Sequence, residues 1–136
     1  MNTIINSRKV TVPLSQQQAF EYLSDLNNFK ELLPDDKVDN IDCSSDHCHF
    51  RVKGLTGIYL KKGNTQPYHL IEIESDQKSQ VKFNLHIQIE NQNGQSSCQL
   101  IFRSDLNPFM KMMVEKPLKN FFDLIATNLE KKFPTN

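Results

Sequence analysis

The strongest evidence for the fold of this chain is the sequence VKFNLHIQIE, residues 81–90. Apolar and polar residues alternate strictly through it, and this period of two predicts a strand with one buried face and one solvent-facing face. Asn93-Gly94 follows, which is a favoured composition for a two-residue hairpin turn. The return strand, residues 96–106, carries apolar side chains on one face at Cys98, Leu100, Phe102 and Leu106. The sequence therefore predicts a long antiparallel hairpin.

A long amphipathic helix is predicted directly after this hairpin. Asn107 is a favourable N-cap, and Pro108 is tolerated at the first helical position because its missing N–H would be unpaired there. From residue 109 to 132, apolar side chains recur every three or four residues, at Val114, Leu118, Phe121, Ile125 and Leu129. Such a helix is roughly 35 Å long. Pro117 cannot donate to the Met113 carbonyl, so a bend is expected there.

The upstream sequence supplies the remaining elements. Ser15 and Gln18 have the spacing of a capping box, which starts a first short helix, and a second is expected at residues 28–33. Strands are predicted at residues 4–12, 38–43, 47–53, 55–61 and 68–75. Consecutive strands followed by a helix indicate an α+β class. We expect one domain, residues 1–136, in which a curved antiparallel sheet of about seven strands wraps around the C-terminal helix.

Composition limits the possible functions. Lys plus Arg and Asp plus Glu each number 16, so the formal net charge is zero and nucleic acid is not a predicted partner. The three cysteines do not form a disulfide framework. Residues 1–12 lack the apolar run of a secretion signal, and no run approaches the ~20 apolar residues of a membrane span. These features predict a cytoplasmic protein with reduced thiols.

Two segments resemble the START superfamily, which includes the birch-pollen allergens and is also called the SRPBCC or helix-grip group. The first is VTVPLSQQQAFEYLSD, residues 10–25, a strand, a polar turn and a helix with a central aromatic residue. The second is Asn107-Pro108-Phe109 with the Met-rich helix up to Phe122, which is similar to one uncharacterised bacterial branch. With the element order, the resemblance covers nearly the whole chain and implies a helix-grip fold.

Members of this superfamily include lipid carriers, hormone receptors, polyketide cyclases and quinone-binding proteins, so the fold does not fix the function. The Gly-rich loop of the pollen-allergen branch has no match at residues 53–57, and the iron site of the ring oxygenases is absent. The resemblance implies a cavity between the sheet and the last helix. The predicted function is binding of an apolar or amphipathic small molecule, such as a lipid, a quinone or a polyketide-like ring.

Alternation and helical periodicity select the residues of this predicted site. From the strands, inward-pointing side chains are expected at Phe50, Ile71, Ile73, Phe83, Leu85, Leu100 and Phe102. From the helix, the residues expected to face them are Met113, Val114, Pro117, Leu118, Phe121 and Ile125. The alternative is that all of these form ordinary core. The bend expected at Pro117 favours a cavity, because a bent helix cannot pack flush along its length.

Two other functions compete with simple binding. His69 has the parity of Ile71 and Ile73, so it is a candidate general base for a cyclase or hydratase, and Ser104 is a candidate polar group in the pocket. A half-exposed histidine and a satisfied hydroxyl are the alternatives. The third hypothesis is a protein-interaction module with a filled core.

No metal or cofactor is predicted. Cys43, His47, Cys48 and His49 together suggest zinc, but alternation places the two histidines on one face of a strand and Cys48 on the other.

A methionine cluster opens the last helix, at Met110, Met112 and Met113. It is suited to a ligand portal, a partner or a membrane surface, but packing against the first helices is the favoured interpretation.

Overall fold

A computed structural model describes residues 2–55, 57–79 and 81–134. Within these ranges the fold is α+β, as predicted. Its elements, in chain order, are β1 (Thr3–Asn6), β2 (Val10–Val12), α1 (Gln16–Ser24), α2 (Leu26–Lys30), β3 (Val38–Cys43), β4 (His47–Val52), β5 (Gly57–Lys62), β6 (Leu70–Ser75), β7 (Phe83–Gln92), β8 (Gln95–Ser104) and α3 (Pro108–Lys132).

The strands form one antiparallel sheet in the order β1-β8-β7-β6-β5-β4-β3, and β2 also pairs with β8. The predicted hairpin is β7–β8, which pairs from Phe83 with Ser104 to Gln92 with Gln95. Its turn requires positive φ, and Asn93 and Gly94 adopt φ of 55° and 84°. The sequence prediction of this hairpin is confirmed.

The prediction of a single strand at residues 4–12 is wrong. This segment forms two strands, β1 and β2, and both pair with β8. Between them, Ser7 is buried, donates its backbone N–H to the Leu100 carbonyl and accepts a bond from the Leu100 N–H at its hydroxyl. Arg8 then turns its N–H to Asp123 of α3, at 2.7 Å. The backbone leaves the ladder here to contact the helix. The sheet has eight described strands, which agrees with the predicted number of about seven.

The first short helix begins where its capping signal places it, and the second is shifted from its predicted residues 28–33. The Gln18 N–H donates to the Ser15 hydroxyl at 3.1 Å, and the Ser15 N–H donates to the Gln18 side chain at 3.0 Å, which completes the capping box. The second helix begins at Leu26, two residues before the predicted start, because Asp25 caps it through the Asn27 N–H. Helix α1 packs against β6 and β7, and α2 packs against β3 and β4.

Helix α3 confirms the predicted long C-terminal helix and its Asn107 cap, which accepts from the Met110 N–H at 2.8 Å. It packs against β1, β2 and β8. Only its second half is buried, at Leu118, Phe121, Phe122, Ile125, Ala126 and Leu129. Residues 108–117 are all described, and none of them is buried. The helix continues through Pro117, and the bend expected there stays a prediction.

The expectation of reduced thiols is wrong for Cys43 and Cys48, which form a disulfide. The two residues lie directly opposite each other in the β3–β4 register, with Cα atoms 3.9 Å apart. Opposite residues of an antiparallel pair project to the same side, which brings the sulfurs together. Cys98 is free and buried, and burial raises the pKa of its thiol to about 12.

Candidate functional site

A small cavity lies in the core, between the sheet and α3. Its volume is about 20 Å³, which is room for about one water-sized sphere. All of its lining side chains are apolar: Phe29, Phe50, Ile58, Leu60, Phe83, Leu85, Phe102, Phe121, Phe122 and Ile125. Because the lining offers no polar side chain to hold a water, we expect the cavity to stay dry.

Phenylalanine rings fill most of the space around this cavity. Phe50 of β4 lies 5.9 Å from Phe121 of α3 between ring centroids, and Phe102 of β8 lies 5.7 Å from Phe122. Phe102 also stacks on Phe83 at 5.3 Å. Helix and sheet therefore meet through a continuous aromatic cluster rather than through close backbone contact at this point.

The structure brings most of the predicted site residues together. Those that line the cavity are Phe50, Phe83, Leu85, Phe102, Phe121 and Ile125. Those that are buried in the same core without lining it are Ile71, Ile73, Leu100 and Leu118. Val114 is half-buried against this core. A ligand-binding role for these residues stays a prediction.

Met113 and Pro117 are not part of this core, which corrects the orientation predicted for them. Met113 is 55 % exposed, and Pro117 is also exposed. The buried stripe of α3 is centred on residues such as Leu118 and Ile125, and at ~100° per residue Met113 and Pro117 fall about 100° or more away from its centre. The periodicity alone fixed the repeat of the stripe, but not which neighbouring residues would face the sheet.

The packing predicted for the methionine cluster is wrong as well. Met110 is half-buried, but Met112 is 75 % exposed and the preceding Phe109 is 66 % exposed. The first half of α3 therefore carries an exposed apolar surface, the helix-start patch, made by Phe109, Met112 and Met113.

Four cavity residues were missed by the sequence analysis: Phe29, Ile58, Leu60 and Phe122. A signal existed for three of them. Ile58 and Leu60 alternate within the strand predicted at residues 55–61, and Phe122 follows Phe121 on the same helical stripe. Phe29 lies on the short helix α2, whose five residues are too few for a periodic signal.

His69 does not enter the interior, which removes it as a base acting in the cavity. It precedes β6, is exposed, and its Nε2 lies 3.0 Å from the Gln66 side-chain oxygen. The strand alternation on which the prediction depended begins only at Leu70. Ser104 is fully buried, but its hydroxyl donates to the Lys82 carbonyl at 2.7 Å, so it is satisfied within the fold.

A polar constellation on the opposite face of β4 was also missed. Ser44 Oγ and Asp46 Oδ1 lie 2.9 and 3.0 Å from the same atom, His47 Nδ1. A nucleophile-activating relay needs one imidazole nitrogen on the hydroxyl and the other on the carboxylate. The Ser44 hydroxyl also lies 3.4 Å from Nε2, but its shorter contact and the Asp46 contact are both on Nδ1, so this group does not have the arrangement of a catalytic triad. Among the described residues, no set of three or more His, Cys, Asp or Glu side chains is arranged to hold a metal ion.

Solved structures from several bacteria share this architecture. A START superfamily protein from Mycobacterium smegmatis is 14 % identical, with 96 % of each chain covered and a TM-score of 0.70. XoxI from Bacillus cereus is 9 % identical, with 96 % of this chain and 95 % of that one covered and a TM-score of 0.72. An Aha1 dimer from Colwellia psychrerythraea is 15 % identical over 89 % of this chain and 96 % of that one, with a TM-score of 0.57.

The chain therefore has a START-like, helix-grip fold, and the fold inferred from the sequence resemblance is confirmed. No protein-family model matches the chain, and no curated protein matches it. In the part of the chain that the structure describes, no helix is long and apolar enough to cross a membrane.

Proposed function

We propose that this protein binds an apolar or amphipathic small molecule, such as a lipid, a quinone or a polyketide-like ring, between the sheet and α3, and that it does so without catalysis. The observation that carries the proposal is the cavity itself, which lies between sheet and helix and is lined by apolar side chains alone. Apolar pockets of this kind are the usual setting for such ligands, with binding driven by desolvation at ~25 cal/mol per Å² of apolar surface.

The ligand would enter by displacing aromatic rings. A cavity of about 20 Å³ is far smaller than the ~300–1,000 Å³ of ordinary ligand sites. Phe50, Phe121 and Phe122 line it, so a ligand of ordinary size requires these rings to leave their present positions. The free energy of binding is then the desolvation gain minus the ring–ring contacts that are lost, at ~0.5–1.5 kcal/mol for each pair.

The chain contains no tryptophan, so a tryptophan introduced by substitution is the only one in the variant. Phe121→Trp places a larger ring at the cavity, and it should lower uptake of a fluorescent naphthylamine probe at least tenfold while the circular dichroism spectrum is unchanged. Leu124→Trp is the matched control, because Leu124 lies on the same helix and is 37 % exposed. That variant should bind the probe as the wild type does.

Failure of the wild type to take up the probe, or equal uptake by both variants, would contradict binding in this cavity. Native mass spectrometry of the protein purified from its own host then identifies the ligand, because a bound small molecule adds its mass to the protein peak.

A second candidate is a protein-interaction module, and the helix-start patch favours it. Phe109, Met112 and Met113 are all more than half exposed, and methionine side chains adapt to varied surfaces. The nearly filled core agrees with this candidate. One of the similar structures is described as a dimer, so we take a second copy of this chain as the partner.

Sedimentation velocity distinguishes the two candidates. If the patch joins two copies, the wild type should sediment as a dimer at about 100 μM, and Met112→Glu should be monomeric because it places a charge in the apolar contact. Glu115→Gln, a change on the same helix outside the patch, should leave the dimer intact. A wild type that is monomeric throughout would remove self-association as a function.

The location proposed from the sequence is the cytoplasm. The Cys43–Cys48 disulfide opposes this location, because disulfides are rare in reducing compartments. Alkylation of thiols in intact host cells decides between them. Modification of both cysteines would support the cytoplasm and show that the disulfide does not form there, and protection of both would overturn the cytoplasmic location.

A further inference from the structure

A polar groove of about 590 Å³ lies on the opposite face of the sheet from the aromatic cavity. Its lining residues are Asp46, His47, His49, Lys61, Lys62, Asp76 and Lys78. Phe50 of β4 points to the cavity, so His47 and His49, which have the other parity, project from the other face. Lys61 lies directly opposite His47 in the β4–β5 register. His47, His49 and Lys61 are thus separated from the proposed apolar site by the thickness of the sheet, whereas Lys62, the last residue of β5, has the parity of the cavity-lining Leu60.

The positive charges of this groove have no partner within the described chain. Lys61, Lys62 and Lys78 make no ion pair and no side-chain hydrogen bond with the described residues. Glu74 is the residue opposite Lys61 on β6, yet the two are not ion-paired. Three ammonium groups therefore line one groove without a partner among the described residues.

The negative charges of the groove are satisfied locally. Asp46 accepts from the Ser44 hydroxyl and lies 3.0 Å from His47 Nδ1, and Asp76 accepts from the Lys78 N–H and lies 3.4 Å from His49 Nε2. These donors hold the pKa of both carboxyls below the usual range. Each aspartate is thereby tied to one histidine rather than to a lysine.

The two imidazoles lie side by side, with ring centroids 5.3 Å apart. Their charged or titratable neighbours are Asp46 and Lys61 around His47, and Asp76 and Tyr59 around His49, with Lys78 beside Asp76. Among the residues that line the groove, three lysines against two aspartates leave one positive charge in excess, and Glu74 lies next to the groove, opposite Lys61.

We propose that this groove binds a small phosphate-bearing anion through Lys61, Lys62 and Lys78. Ammonium and imidazolium N–H groups are the donors that phosphate oxygens accept, and charge-assisted bonds of this kind are about twice as strong as neutral ones. A phosphate-bearing anion can therefore accept from three ammonium groups that have no partner among the described residues.

The test is an amide NMR titration with inorganic pyrophosphate at constant ionic strength. Saturable shifts are expected at residues 46–49, 61–62 and 76–78. The double variant Lys61→Gln/Lys78→Gln should bind at least tenfold more weakly, because two charged donors are lost. Lys116→Gln is the control, since Lys116 lies on α3 and also has no partner among the described residues.

Two sources of phosphate are separated by a parallel experiment. Vesicles of phosphatidylcholine with phosphatidic acid present the same group as a lipid headgroup, and co-sedimentation that is lost in the double variant but kept in Lys116→Gln assigns the groove to lipid. Saturable pyrophosphate binding without co-sedimentation assigns it to a free anion. No binding in either arm, or equal weakening in both variants, overturns the proposal. Neither arm involves the aromatic cavity.

Discussion

His86 on β7 shows how one residue can make the stability depend on pH. Arg103 of the neighbouring strand donates to its Nδ1 at 3.0 Å, so the ring proton is on Nε2, which is buried without a partner among the described residues. Burial first, and the Arg103 charge second, lower the pKa of this imidazole, while Glu72 acts in the opposite direction. A second proton on this ring would be placed beside a guanidinium.

Because the pKa is lower in the folded state, the unfolded chain takes up this proton first as the pH falls. Native stability should therefore decrease from pH ~6.5 downwards. His86→Gln removes this titration while keeping a polar side chain. Urea unfolding at pH 7.0 and pH 5.5 should show a smaller loss of free energy in the variant than in the wild type. Equal losses would contradict the assignment.

For individual residues, the sequence predicted which side chains are buried better than it predicted which residues they contact. Alternation correctly placed Phe83 and Leu85 inside, and it separated His47 from Cys48. It could not show that Cys43 would face Cys48, because a pairing depends on the register of two strands, which is set by the turn between them. It also failed at His69, since a strand's first residue is decided by the ladder it joins.

Among the elements, α3 has two halves of different character. Its second half is buried, and its first half extends from Asn107 to Pro117 with no buried side chain. The helix was predictable from its N-cap and from the repeat of its apolar residues. How much of the helix packs on the sheet was not predictable, because that depends on where β8 ends beneath it. Pro117 lies at the junction, where the Met113 carbonyl has no helical N–H to accept.

Pro117→Ala should stabilise the protein, by up to about 3 kcal/mol, because it restores this hydrogen bond at an exposed helix position. Lys116→Ala is the matched control, and it should change the free energy of unfolding by only a few tenths of a kcal/mol. Urea denaturation measures both. If the proline bends the helix as predicted, the alanine variant should also take up less naphthylamine probe. A destabilised Pro117→Ala would show that the surrounding fold requires the proline.

On the scale of the whole molecule, ion pairs tie distant parts of the chain together. Glu31 after α2 accepts from Lys132 at the end of α3 at 2.7 Å, and Asp39 of β3 accepts from Arg51 of β4 at 2.8 Å. The Lys132 hydrogen bond lowers the pKa of Glu31, and the Arg51 hydrogen bond lowers that of Asp39. All four groups are at the surface, so each pair contributes little at physiological salt.

Lowered carboxyl pKa values give stability that is present at neutral pH and lost as the pH falls through the folded-state values. We expect the free energy of unfolding to fall as the pH drops below about 4.5, the ordinary pKa of a glutamate, and through the lowered folded-state values. This acid loss should become smaller in 1 M NaCl, which screens exposed pairs. Thermal unfolding across this pH range, at low and high salt, measures it. An acid loss that is independent of salt would mean that buried groups, rather than these pairs, cause it.

Because β1 pairs with β8, it cannot complete its pairing until β8 has been synthesised. Thr3 has Ser104 as its ladder partner, so the first strand leaves the ribosome long before the strand that it needs. At ~5–20 residues per second, roughly 5–20 s separate the two events. During that interval β1 has no strand to pair with. A chaperone that shields this segment should raise the yield of folded protein more than one that acts after release.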